Sequence, residues 1–168
     1  MRPDLAELAA PVAALLRARH ETVAIAESAA GGLISAALIA VPGASDYFRG
    51  GGVIYTQVAR RTLLGLGDEA VRGMRSSTEA YAQAKARAVR ERLGVAWGLA
   101  ETGAAGPAGN RYGDGPGHAC FAVAGPVERA LTLETGRRDR EANMWAFARG
   151  ALALLATCLA AAPPPPKA

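Results

Sequence analysis

The chain has 168 residues, a formal net charge of +4 and 51% hydrophobic residues, of which Ala and Gly supply a large share. That length suits one domain with a proper core, built from Leu, Val, Ile and Ala with few aromatics. The basic residues are mostly arginines dispersed over helices, with no run interleaved with aromatics, so a nucleic-acid face is not expected. Cys120 and Cys158 lie in apolar segments and read as reduced core residues. Together with His20 and His118 they make no zinc spacing, so neither a metal nor a cofactor is expected.

Leu5, Leu8, Val12, Leu15 and Leu16 recur at helical spacing and predict a first helix over 4–20, with Pro11 inside it as a position for a kink. A buried strand follows at 22–27, then a helix over 31–41 that Pro42-Gly43-Ala44-Ser45 stops. Gly50-Gly51-Gly52 leads into a second strand at Val53-Ile54-Tyr55, and a short helix covers 57–65. Ser76-Ser77-Thr78-Glu79 reads as a capping box that starts a helix running to Leu93, ended by Gly94. A third strand is expected over 95–101, a Gly/Pro-rich loop over 103–117, and a hairpin of strands at 119–124 and 129–134.

The last helix is expected over 139–162. Its apolar part, 146–162, is interrupted by Arg149 and Gly150 and is slightly short for a membrane span, so a buried helix explains it better. The N-terminus, with Asp4 and Glu7, lacks the pattern of a signal peptide, and a cytoplasmic protein without membrane contact is expected. Strands alternating with helices, then a late hairpin, predict an α/β fold: a three-layer α/β/α sandwich with a mixed sheet. It forms one domain over 1–162, followed by a disordered polyproline tail over 163–168. Helical faces of small residues suggest a homodimer.

Three segments are candidates to converge at one end of the sheet: Glu27-Ser28 with Gly31-Gly32, Tyr55-Thr56-Gln57 with Arg60, and Thr102-Gly103 with the loop through Gly106-Pro107. A hydroxyl at the first strand-to-helix junction faces the positive end of a helix and free N–H groups. Ser28 therefore suits a nucleophile or an anion contact, and equally a plain helix N-cap. The glycine loop is neither a Walker P-loop nor a Rossmann fingerprint.

Taken together and in order, these segments resemble the CinA C-terminal domain family, the nicotinamide-nucleotide amidohydrolases. The family's Glu-Ser-Cys-Thr-Gly-Gly is similar to Glu27-Ser28-Ala29-Ala30-Gly31-Gly32, and its Pro-Gly-Ser/Ala-Ser to Pro42-Gly43-Ala44-Ser45. Its Tyr-Ser-Asn-x-x-Lys stretch, followed by Leu-Gly, is similar to Tyr55 through Arg60, followed by Leu64-Gly65. Its Thr-Gly-x-Ala-Gly-Pro loop matches Thr102 through Pro107, and its Gly-Asp-Arg resembles Arg138-Asp139-Arg140.

The resemblance implies hydrolysis of the carboxamide of nicotinamide mononucleotide to nicotinate mononucleotide and ammonia. It implies Ser28 as nucleophile, Tyr55 as an assisting hydroxyl, and Arg60 at the catalytic lysine's position. It further implies an oxyanion contact near Gly31-Gly32. Glu27, Gly31, Gly32, Thr102, Gly103, Gly106 and Arg140 become the substrate-binding set, with Arg140 facing the phosphate. Tyr55 as a plain strand residue, Thr102 as a loop cap and Arg140 as a solvated helix start stay open beside those roles. The chain departs from the family at Ala29, Ala30 and Gln57, at Asp114-Gly115-Pro116-Gly117, and above all at Arg60, which cannot take a proton from Ser28. Lys85 lies mid-helix and Lys167 in the tail, so neither stands in for the lysine in this reading. A diverged homologue that binds a nucleotide without hydrolysing it is the alternative, and a purely structural protein ranks last.

Overall fold

The computed structural model describes residues 4–166. Five strands form one sheet in the order β2-β1-β3-β4-β5: β1 Val23–Glu27, β2 Phe48–Val53, β3 Trp97–Ala104, β4 His118–Ala124 and β5 Arg129–Glu134. β1 runs parallel to both β2 and β3, while β3–β4 and β4–β5 pair antiparallel, so the sheet is mixed. The α-helices are α1 Leu5–Arg19, α2 Leu33–Ala40, α3 Gln57–Leu64, α4 Glu79–Leu93 and α5 Arg140–Ala161.

α1, α2 and α5 cover one face of the sheet, and α4 with α3 covers the other, giving the expected three-layer α/β/α sandwich. The layers differ in bulk. On the first face Trp97, Leu99, Phe121, Phe147, Leu152 and Leu155 fill the core. On the second, Ala24, Ala26, Ala82, Ala86, Ala100, Ala122 and Ala124 bring α4 close to the sheet. The small residues of α1 and α5, Ala9, Ala13, Ala148 and Ala151, are buried within the chain's own first layer. That leaves the homodimer expectation without those faces as support. α5 is long and apolar enough to cross a membrane by length and composition, but its apolar side packs on the sheet and α1 in this fold.

Three expectations change. β2 is the glycine run itself rather than 53–55. A parallel edge strand needs backbone hydrogen bonds more than side chains, and at Gly51 a Cβ would lie 2.3 Å from the Ile25 carbonyl oxygen. β3 starts later and ends later than 95–101, because pairing with β4 carries it through Thr102↔Cys120 and Gly103↔Ala119 into what read as loop. α4 is capped by Thr78, whose hydroxyl accepts from the Tyr81 N–H. Glu79 is turned to β5, where it accepts from the Thr132 hydroxyl, so the capping box from Ser76 does not form. α1 runs through Pro11 as one helix. The tail starts with the Pro163 carbonyl accepting from Arg19 at 2.7 Å, and residues 167–168 of the expected disordered tail lie outside the described residues.

The close approach of α4 has a specific requirement. At Gly98 of β3 a Cβ would stand 2.1 Å from the Ala86 carbonyl oxygen, a backbone atom that cannot swing aside. Gly98→Ala should therefore lift α4 and destabilise the fold by about 2–3 kcal/mol, seen as a lower urea midpoint with little change in slope.

Candidate active site

β1 ends at Glu27, and the chain turns through Ser28, Ala29, Ala30 and Gly31 before α2. Two buried carboxylates set this turn. Glu27 is fully buried: its Oε2 accepts from the N–H of Gly32 (2.9 Å) and Ile34 (3.0 Å), and its Oε1 from the N–H (2.7 Å) and hydroxyl (2.6 Å) of Ser35. It neutralises the orphan donors at the start of α2, a role Ser28 was free to take from sequence. Glu101 of β3, also fully buried, accepts through Oε2 from the N–H of Ser28 (2.9 Å) and Ala30 (2.8 Å). Burial pushes the Glu101 carboxyl up, while those N–H groups and the nearby Lys85 pull the other way.

Ser28 is thus no N-cap. Gly32, with φ +100°, holds the cap position, and the Ser28 side chain is left to face a cavity of about 500 Å³ at the strand ends. Successive residues of a strand alternate in direction. Ala24 and Ala26 face α4, as do Ala100 and Cys120, so Ser28 and Thr102 fall on the α4 side of the sheet. Of the residues singled out from sequence, Ser28, Tyr55, Thr56, Gln57, Thr102 and Gly103 line this cavity together.

Others stand elsewhere. The Arg60 side chain, 3% exposed, is not part of the lining. Its guanidinium donates to the carbonyls of Leu66 and Gly67, both at 2.9 Å, and pairs with Asp68, which fastens the turn after α3. Gly31 and Gly32, at φ +66° and +100°, make the turn; the Gly31 N–H bonds the Ser28 carbonyl and the Gly32 N–H bonds Glu27, so neither is free for an oxyanion. Along 28–35, the N–H of Ala29 alone has no partner among the described residues. Arg140 donates to the Gly106 carbonyl (2.6 Å) and to the Tyr55 hydroxyl (3.1 Å), bridging the loop after β3 to the cavity rim without lining the cavity.

The rest of the lining was not picked out from sequence. Tyr81 and Lys85 come from α4, Ser76 and Ser77 from the segment before it, and Asn110, Arg111 and Tyr112 from the loop after β3. Three of the chain's four tyrosines therefore surround one cavity. His118 is a structural residue here: one ring nitrogen meets the Ser77 carbonyl at 2.8 Å and the other Glu134, pinning the cavity wall to β4 and β5. Lys85 is 1% exposed, and its Nζ donates to the Glu101 carbonyl at 3.0 Å. Burial brings its amine down to about 8, against the opposing pull of Glu101 and Glu27. The signal for Lys85 was present in the sequence, since Ala82, Ala86 and Val89 mark the inward stripe of α4 and position 85 falls on it.

Known proteins agree with this architecture. The family described as CinA C-terminal domain matches residues 5–159. A CinA-like protein of Synechocystis is 41% identical over 138 residues, which cover 82% of this chain and 33% of that protein. One from Anaeromyxobacter is 38% identical over 143 residues, covering 84% and 35%. The chain thus spans about a third of the length of these curated relatives. Among solved structures, a competence-damaged protein (CinA) superfamily protein from Klebsiella pneumoniae superposes with a TM-score of 0.86 at 28% identity, covering 94% of this chain and 99% of that one. The competence/damage inducible protein CihA from Agrobacterium tumefaciens gives 0.83 at 29%, covering 94% and 97%. Sequence and fold together place the chain in the CinA C-terminal domain family.

Proposed function

We propose that the protein is an amidohydrolase that converts nicotinamide mononucleotide to nicotinate mononucleotide and ammonia, with Ser28 as the nucleophile. The observation that carries this reading is Ser28 itself: a hydroxyl released from capping duty by Glu27 and Glu101 and turned into a nucleotide-sized cavity. The pyridinium ring of the substrate is a flat cation, which suits the ring of Tyr55, since Tyr112 already lies under Arg75 and Arg111 and Tyr81 under Lys85. Arg111 is the cation in the lining that fits the 5′-phosphate, taking the part expected of Arg140. Arg140 instead orients Tyr55.

In the reaction, Ser28 Oγ attacks the carboxamide carbon, and the unpartnered Ala29 N–H receives the developing oxyanion. A backbone donor directly after the nucleophile is the arrangement that acyl-transfer enzymes use. The resulting ester is then hydrolysed by water, which releases the acid and restores the hydroxyl. The binding-only alternative rests on Arg60, Ala29 and Ala30, and of these Arg60 does not face the cavity. A small nucleotide as partner and a cytoplasmic setting belong to the same reading, and two buried free cysteines suit a reducing compartment.

Two measurements test it. Ser28→Ala should cut ammonia release from nicotinamide mononucleotide by at least about 10³-fold with the fold intact by circular dichroism; unchanged turnover removes Ser28 as nucleophile. Arg111→Gln should raise KM for the mononucleotide about tenfold while kcat stays within about twofold. The same variant should leave KM for nicotinamide riboside, which has no phosphate, where it was.

A further inference from the structure

Taking the amide hydrolysis proposed above as the reaction, we propose that Lys85 of α4 is the general base of this site. It accepts the Ser28 hydroxyl proton as Oγ bonds to the amide carbon, and returns that proton to the leaving nitrogen as the C–N bond breaks and ammonia departs. In the second half it takes a proton from water as the hydroxide bonds to the acyl carbon, and returns it to Ser28 Oγ as the ester breaks. The sum is amide plus water giving acid plus ammonia, with Lys85 unchanged.

The composition makes this lysine unusual. Of 19 basic residues only Lys85 and Lys167 are lysines, so among residues 4–166 every other long cationic side chain is an arginine. An arginine stays charged under any protein condition, whereas a lysine loses its proton when water is withheld. This one lysine is placed where water is withheld: it is 1% exposed, on the inward stripe of a helix whose neighbours there are Ala82, Ala86 and Val89. It forms no ion pair among the described residues, and its hydrogen-bond partner is a neutral carbonyl, that of Glu101.

Glu101 supplies the second half of the geometry. Its carboxylate holds the Ser28 backbone, and its own carbonyl holds Lys85 Nζ, so one residue contacts both Ser28 and Lys85, and both line the same cavity. The groups facing Lys85 are Glu101 and Glu27 from the sheet, Tyr81 of its own helix with the ring centroid 5.9 Å away, and Tyr55, Arg111 and Tyr112 across the cavity. His118 and Cys120 of β4 turn to the Ser77 carbonyl, Glu134 of β5 is engaged by His118, and Arg60 of α3 is engaged by Asp68. The surroundings thus hold the amine in place without a salt bridge that would lock it charged.

Burial brings the amine down to about 8 from the ordinary 10.5. The folded value lies below the unfolded one, so the buried charge costs stability below about pH 8, and that cost is relieved as pH rises toward 10.5. Lys85→Met keeps the volume and removes the charge, so the variant should melt no lower than the native chain below pH 8. A purely structural lysine would give the opposite result.

The decisive experiment follows acylation of Ser28 by p-nitrophenyl acetate, through nitrophenolate release and intact mass, from pH 6 to 10. In the native chain the rate should climb and level off with a midpoint near 8. Lys85→Met and Lys85→Arg should both be slower by about 10²-fold or more, without that climb; the arginine variant keeps the charge but cannot take the proton. Native-rate acylation in Lys85→Met, or a climb that persists in it, overturns Lys85 as base. Absence of Ser28 acylation in the native chain overturns both the base and the nucleophile. Lysine-dependent acylation without ammonia release from nicotinamide mononucleotide removes only the substrate and leaves Lys85 standing. Should both variants fail to fold, [13C]lysine NMR on the native chain decides: titration near 8 supports the base, and titration near 10.5 overturns it.

Discussion

Glu101 is the constraint on which the rest of the site depends. A carboxylate buried in the middle of a sheet is costly unless its lone pairs are met by donors. Here one oxygen is met by the N–H groups of Ser28 and Ala30, which forces the chain after β1 to bend back over β3. Its other oxygen, Oε1, has no hydrogen-bond partner among the described residues and is sealed from solvent. Lys85 reaches the same residue through its backbone carbonyl rather than through the carboxylate. Moving Glu101 would release both the turn at Ser28 and the carbonyl that accepts from Lys85 Nζ.

Around this centre, three further charged residues have separate mechanical tasks. Glu27 ties the turn to α2, Arg60 closes the turn after α3, and Arg140 clamps the loop after β3 to Tyr55. Three side chains that resembled ligands in the sequence are braces in the structure. The cavity lining falls mainly to tyrosines and small hydroxyls, with Lys85 and Arg111 as its two cations. The turn itself is held by carboxylates from outside it, while Ala29 and Ala30 are buried in the core of the first layer.

The layer order, the hairpin and the five helices were legible from periodicity and from Gly and Pro stops. Ser28, Tyr55, Thr102 and Gly103 were legible as a group because a mixed α/β sheet collects its loops at strand ends. What escaped was long-range. Arg60 and Lys85 are both cations on helices, and only the packing of α3 and α4 against the sheet decides which one enters the cavity. Glu101 reads as an ordinary strand residue until β1 is laid beside β3, since its partners lie more than seventy positions away. The glycine strand β2 escaped for a different reason: side-chain patterns are silent where the pairing is done entirely by backbone.

The unequal thickness of the two layers has an evolutionary consequence. Cohesion is concentrated in the aromatic and leucine packing under α1, α2 and α5, whereas the cavity opens on the thin, alanine-lined side beneath α4. Substitutions on α4 and the adjoining loops therefore draw on a reserve of stability stored elsewhere in the molecule. A chain partitioned in this way can change the lining of its cavity without passing through an unfolded intermediate sequence. Its chemistry is free to drift while its scaffold stays recognisable.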